Sequence, residues 1–352
     1  MRARGLYVIF GVFLLINCKD PITLDVEGGV GITVIDGKIT TLPGPYKLTL
    51  GATAGISQKP NAISGAHAVL IDDLLGLSED YIETEPGVYS AAGEVVKGIP
   101  GHSYHVHVEL PNGKQYSSKP ETIPDLAAVD TPTWEIGQRS DYVNETEVKI
   151  NVFNIYVDTQ LPNAEKDYYF RWNTEDVYMF EQTPVQDPIG GFPSPCFVSG
   201  YPDPQRITLF TTKGQRITNL YHLLVAQLDI DKSFLAKHAF TIYVSSTSEE
   251  SYNYWKQVDK MVNRSGSIFD SPPAPIKGNL FETSDDAETV YGYFEASNMT
   301  LARFSVLRSQ LKVVIPPYCN DGSRGLYWAD YPPECRGCLS LPNSSKIPPD
   351  WF

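Results

Sequence analysis

The sequence predicts a mainly β protein of two antiparallel β-sandwich domains, with one helix attached to the second. Three observations predict it. The 352 residues include 21 tyrosines and 27 each of glycine and proline, a balance that favours strands joined by tight turns. Apolar and polar residues alternate in short runs, the period of a half-buried strand. Helical spacing of apolar residues is sustained in one segment only, near residues 248–264.

Ahead of the sandwiches, Arg2 and Arg4 precede an uncharged apolar run from Gly5 to Ile16, which ends at Asn17-Cys18. That is the layout of an export leader. A membrane-spanning helix needs about 20 apolar residues, and polar Asn17, Lys19 and Asp20 cut this run short. Leu15-Ile16-Asn17-Cys18 resembles a bacterial lipobox, which makes residues 1–17 a cleaved signal peptide and Cys18 the acylated new N-terminus. A thiolate forms the thioether to lipid, and two or more acyl chains give a lasting attachment that one chain does not. Residues 18–30 read as a tether, and Lys19-Asp20 resembles a surface-export tag. The expected location is the outer membrane, lipid-anchored and facing the cell surface.

Residues 31–122 read as the first sandwich, immunoglobulin-like or transthyretin-like. Tyr46, Leu48 and Leu50 share one strand face behind the Pro43-Gly44-Pro45 turn. Tyr104, Val106 and Val108 repeat the pattern behind Pro100-Gly101, with His105, His107 and Glu109 opposite. Ala66 to Asp72 and Gly87-Val88-Tyr89 are further strands. Pro111-Asn112-Gly113-Lys114 predicts a hairpin closed by a type I′ turn on Asn112-Gly113. Two imidazoles on one strand face invite a metal, but Glu109 is the one other local ligand, and the pattern is that of a solvated face.

Three prolines between Pro120 and Pro132 mark residues 123–132 as a linker. The second sandwich, 133–315, has strands at Glu147 to Asp158, Asp167 to Trp172, Arg206 to Thr212, Tyr221 to Gln227 and Phe240 to Ser245. Thr247-Ser248-Glu249-Glu250 predicts a capping box opening the helix. Tyr254, Trp255, Val258, Met261 and Val262 form the helix's apolar stripe, and Gly266 marks its exit. Val290 to Ser297 supplies closing strands, and 316–352 is a tail rich in proline and cysteine.

Four cysteines follow Cys18: Cys196, Cys319, Cys335 and Cys338. In an oxidising compartment they form two disulfides in one of three pairings. The favoured bridge joins Cys319 to Cys335 or Cys338, closing a loop of roughly 15 to 20 residues worth about 3 kcal/mol. A zinc site needs a second close-spaced pair beside Cys335-Arg-Gly-Cys338, and Cys196 and Cys319 do not make one.

The net charge of −14 repels phosphate backbones and argues against nucleic acid as a partner. The chain has no G-x-S-x-G elbow, no H-E-x-x-H pair and no phosphate-cradling loop. Asp72/Asp73 and Asp285/Asp286 are sequence neighbours, a poor arrangement for the opposed acid and base of glycoside hydrolysis. The sequence therefore points to no catalytic residue, no metal and no cofactor.

Several runs are turn and strand chemistry when taken singly, and their order across the whole chain carries more. They are Ile35-Asp36-Gly37-Lys38-Ile39-Thr40, Glu85-Pro86-Gly87-Val88-Tyr89, Gly98-Ile99-Pro100-Gly101-His102-Ser103-Tyr104 and Tyr252-Asn253-Tyr254-Trp255. They continue with Ile268-Phe269-Asp270-Ser271-Pro272-Pro273-Ala274-Pro275-Ile276-Lys277-Gly278-Asn279 and Gly292-Tyr293-Phe294, and end on a cysteine pair before Pro349-Asp350-Trp351-Phe352. In this order, from Cys18 to Phe352, the chain resembles the Bacteroidetes outer-membrane lipoproteins called domain of unknown function 4249. The resemblance implies an accessory lipoprotein that accompanies a TonB-dependent receptor, with no catalytic residues to carry over. The expectation is a non-enzymatic partner in nutrient uptake that binds a small ligand, glycan or peptide. Tyr252, Tyr254, Trp255 and Phe269 are its candidate contacts, since rigid aromatics bind at little entropic loss. The alternatives are a structural or adhesive surface protein and a hydrolase with a site scattered along the chain.

Overall fold

The computed structural model describes residues 31–54, 60–125, 128–161, 166–181, 194–263, 275–284, 288–319 and 331–352. The leader, Cys18, Gly266, Phe269, the Ser271 to Ala274 stretch and Asp285/Asp286 lie outside the described residues. No helix among the described residues is long and apolar enough to cross a membrane.

The protein is mainly β, as its alternation predicts, and it contains two sandwiches that share one sheet. The eleven-stranded sheet has nine strands in a row. Their order is Ser344–Ser345, Cys196–Gly200, Tyr169–Phe180, Lys237–Thr247, Phe294–Leu307, Thr33–Thr40, Tyr46–Ala52, Val88–Ala91 and Ile82–Glu85. Thr208–Thr211 and Asn61–Ala62 pair off this path. One half of the sheet faces a six-stranded sheet that includes His67–Asp72, Ser103–Glu109 and Gln115–Ser118. The other half faces three strands, Val129–Val143, Thr146–Gln160 and Asn219–Asp229.

Each half encloses its own core. Ile35, Leu48, Tyr89 and Phe294 meet Leu70, Tyr104, Val106 and Tyr116 in the first. Phe170, Trp172, Phe240 and Val306 meet Phe153, Ile155 and Val157 in the second. Phe294 and Ala296 of the long strand belong to the first core and Val306 to the second. Even spacing puts these side chains on one face, so the two smaller sheets lie side by side on that face. The opposite face is left for polar side chains and the helix.

The joint between the halves is a parallel ladder, an exception to the antiparallel pairing expected. Gly37 to Thr40 pair with Phe294 to Ser297. Two glycines allow the approach. A Cβ on Gly292 (φ +101°) would lie 1.9 Å from the Ile35 carbonyl oxygen, and one on Gly278 would lie 1.6 Å from that of Gly292. Asn279 completes the seam, its side chain bonding both Phe294 N (2.9 Å) and Phe294 O (2.8 Å) as a strand neighbour would.

Several sequence expectations shift in register or partner. Leu280–Glu282 pairs with Gln115–Ser118, so residues from the second segment complete the first sandwich. Val129–Val143 begins inside the expected linker, as an edge strand on which Pro132 is tolerated. Its hairpin turns on Asn144 (φ 48°) and Glu145 (φ 63°), the type I′ geometry. At 110–114 the expected type I′ turn does not form. Gly113 has φ +84° and donates to Leu110 O, while Leu110 N donates to Lys114 O. Pro111 holds a negative φ at the first turn position, which selects a type I turn with a glycine bulge. The helix, Glu249–Val262, is capped by Ser248, whose hydroxyl accepts from Ser251 N. Thr247 stays in its strand, so the expected capping box on Thr247 and Glu250 is replaced by a one-sided cap.

The disulfides are Cys319–Cys335 and Cys196–Cys338. Together with Phe180 and Val198 they form a small third core that fixes the tail against the sheet edge. His105 Nδ1 lies 2.7 Å from Asp73 Oδ1 on the solvated face.

Candidate functional site

The site lies on the outer face of the shared sheet, opposite the two cores. Strand pairing assembles it. The parallel ladder sets Lys38 beside Glu295, and the antiparallel ladder sets Asp36 beside Thr49. Arg171 pairs with Ser245 on the neighbouring strand. That residue is small, so the guanidinium crosses above it to reach Glu295, whose Oε1 and Oε2 accept from Arg171 Nη2 at 2.9 and 3.0 Å.

Glu295 is the hub. It is 3 % exposed and also accepts from Ser251 Oγ at 3.0 Å and Trp255 Nε1 at 2.8 Å. Burial alone would raise its pKa. The Arg171 and Lys38 charges, with these hydrogen bonds, outweigh burial and hold the carboxyl below its usual range. Trp255 stacks on the guanidinium, 4.2 Å from ring centre to Cζ, a cation–π contact that fixes the plane of Arg171.

Around this hub runs an open cleft with two lobes, of about 210 and about 470 Å³. Lys38, Lys47 and Arg171 line both lobes. The smaller lobe adds Asp36, Trp255 and Tyr293, and the larger adds Leu42, Pro45, Tyr201, Glu175 and Met299. Asp36 is exposed at the cleft floor, yet many protein atoms lie around its carboxyl. That enclosure, then repulsion from Glu295, pushes its carboxyl up to about 6. The same enclosure, then the Arg171 charge, lowers the Lys38 ammonium from its ordinary value.

A second hollow, of about 650 Å³, lies on the other side of Tyr293 and includes Glu121, Asn253, Tyr254 and Lys277. Glu121 is buried, and its oxygens accept from Ser248 Oγ, Asn279 Nδ2 and Tyr293 Oη. Burial raises its carboxyl pKa. With its acceptors already occupied, Glu121 works as a latch between the first sandwich and the helix cap. The hollow is larger than either lobe of the cleft, but the cleft is where Arg171 keeps a buried donor, Nε, without a partner.

Of the aromatic candidates, Trp255 lines the cleft and Tyr254 lines the second hollow, stacked on Tyr293 at 4.7 Å. Tyr252 packs on Tyr169 at 5.3 Å and lines neither. The structure thus divides these three among separate tasks, and it mounts the helix on the outer face of the shared sheet. Sequence reasoning missed Asp36, Lys38, Lys47, Arg171 and Glu295 as site residues. A signal was present: Glu295 and Arg171 interrupt the apolar strand runs Tyr-Phe-Glu-Ala and Tyr-Phe-Arg-Trp with opposite charges. Among the described residues no group of three or more His, Cys, Asp and Glu side chains is placed to hold a metal ion.

No curated protein matches the chain. A family model matches residues 19–303, which include every residue of the hub and the cleft floor. The chain belongs to the family described as a domain of unknown function, DUF4249.

Proposed function

We propose that this chain is a non-enzymatic binding protein, anchored to the outer membrane through Cys18, which presents its cleft to a ligand beside a TonB-dependent receptor in nutrient uptake. The observation that carries the reading is the cleft. Its lysines and Arg171 retain unused hydrogen-bonding capacity under an aromatic wall that is already locked by Glu295, the preorganisation a binding site needs. The leader supports the location, since Arg2, Arg4, the apolar run and Cys18 stand in the order that lipid attachment requires. A tether at residues 18–30 followed by two sandwiches also suits a protein that docks against a membrane neighbour.

The test is a mild-detergent pull-down from the native outer membrane, with mass spectrometry of the N-terminal peptide and of the proteins recovered. A diacylated or triacylated Cys18 peptide and a receptor barrel are expected. Cys18→Ala is expected to release the chain from the membrane fraction with its fold intact. An unacylated native N-terminus, or recovery without any barrel, contradicts the proposal.

A further inference from the structure

The cleft's charges are not used equally. Glu295 is occupied by Arg171, Ser251 and Trp255, and Glu175 accepts from Tyr243 Oη at 3.2 Å. Asp36 is left as the one cleft carboxylate without a side-chain partner among the described residues. Against it stand Lys38 and Lys47, neither of whose ammonium groups makes a hydrogen bond among the described residues, and an Arg171 whose donors are mostly idle. Arg171 uses Nη2 alone. Its Nε is buried without a partner, and Nη1 has no acceptor among the described residues. A buried donor without an acceptor is destabilising until one arrives.

We infer that the cleft takes an anionic ligand, whose carboxylate or phosphate head sits among Arg171, Lys38 and Lys47 while an apolar or aromatic body lies along Leu42, Pro45, Tyr201 and Met299. This deepens the binding role proposed above and rests on it. The geometry suits such a head group. Stacking on Trp255 and pairing with Glu295 hold the guanidinium plane still, and a fixed planar fork is the side-chain geometry best matched to carboxylate or phosphate oxygens. The two lysines stand on adjacent strands at the rim and add point charges from the other side. The three cations of the cleft equal its three carboxylates in number, but Glu295 and Glu175 are already engaged, so unused donors gather at one place on a protein of net charge −14 whose surface otherwise repels anions. The larger lobe supplies the apolar contact that a lone inorganic ion would not use. The Lys38 ammonium sits below its ordinary pKa through enclosure first and the facing Arg171 charge second, and an anion between the two cations would relieve the second.

The test titrates the full mature chain with phenylacetate, phenyl phosphate and the neutral phenylacetamide, by calorimetry or ligand-observed NMR. At least one anion is expected to bind at least tenfold tighter than the amide, and the ratio of the two anions identifies carboxylate or phosphate as the preferred head. Lys38→Gln and Lys47→Gln are each expected to weaken anion binding about tenfold. Asp36→Asn, which removes the opposing charge, is expected to tighten it about three- to tenfold. A gain of affinity cannot come from misfolding, so this variant keeps the test decisive even if another is unstable. Equal binding of amide and anions, no binding of either anion, or weaker binding by Asp36→Asn overturns the inference. Recovery of the receptor barrel with a cleft blind to anions would overturn the ligand class and leave the proposed function standing; loss of both would overturn both.

Discussion

Replacing Glu295 by alanine is expected to destabilise the protein by about 3–5 kcal/mol, the range for removing one partner of a buried ion pair. The carboxylate accepts from a strand (Arg171) and from the helix (Ser251, Trp255), and it faces Lys38 across the parallel ladder. Without it, a guanidinium whose side chain is 16 % exposed loses its counter-charge, and the Trp255 N–H and Ser251 hydroxyl lose their acceptor. Glu295→Gln keeps the volume and one acceptor oxygen but turns two acceptor lone pairs into donors facing donors, so its effect should be smaller and still substantial. The sign of the pH dependence follows from the direction of the shift. A carboxyl held below its unfolded value stabilises the fold fully above that value, and the stabilisation is lost as pH falls through the folded value. Urea unfolding of the wild type should therefore lose stability below about pH 4, and Glu295→Gln should lose less over the same interval. Tryptophan fluorescence follows the transition, and a change under about 1 kcal/mol for Glu295→Ala would show that the hub is dispensable.

The second large effect concerns the tail. Cys196 and Cys338 are 142 residues apart, and Cys319 and Cys335 are 16 apart. In the chain-entropy model the longer loop contributes about 5 kcal/mol and the shorter about 3. Cys196→Ala with Cys338→Ala should accordingly cost more than the other double replacement. It should also free the tail, because the strand Ser344–Ser345 holds Cys196–Gly200 through only two residue pairs. Beyond that pairing, the end of the chain is fastened by two hydrogen bonds, Ser199 N to Asn343 O and Lys346 Nζ to Ser194 O, and by ring contacts, Phe352 on Phe197 and under Lys237, and Trp351 under Arg303. Limited proteolysis is the check. Early cleavage between residues 339 and 352 is expected for the Cys196/Cys338 variant and not for the wild type. Equal resistance would show that packing alone secures the tail.

How much of this was legible depends on how local each feature is. Alternation exposed Tyr46, Leu48 and Leu50, and likewise Tyr104, Val106 and Val108, all of which are buried. Helical spacing located Glu249–Val262 to within two residues at each end. The shared sheet was not legible, because Gly37 and Phe294 pair across more than 250 intervening residues and periodicity carries no partner information. Leu280–Glu282 is too short to announce which sheet it joins. The hub was half visible. The runs Ile35 to Thr40 and Gly292 to Phe294 read singly as turn and strand chemistry, and the seam adds the reason for the glycine: Gly292 must accept φ +101° against the Ile35 backbone. Glu295 follows directly, but a strand carboxylate with buried neighbours reads as an outward polar residue until the opposite face is known to carry Arg171 and a helix. The aromatic stripe was legible as a stripe and misleading as a single contact surface, since Tyr252, Tyr254 and Trp255 turn to different neighbours.

One sheet serves both sandwiches, forms the cleft floor and ties Lys38 to Glu295. Native-state hydrogen exchange with peptide resolution tests it most directly. Peptides from Thr33–Thr40 and Phe294–Leu307 should lose protection in the same opening event, together with the core strands Ser103–Glu109 and Lys237–Thr247. If residues 31–122 instead open as an independent unit while Phe294–Leu307 stays protected, the two sandwiches do not share a sheet and the cleft is not a built site.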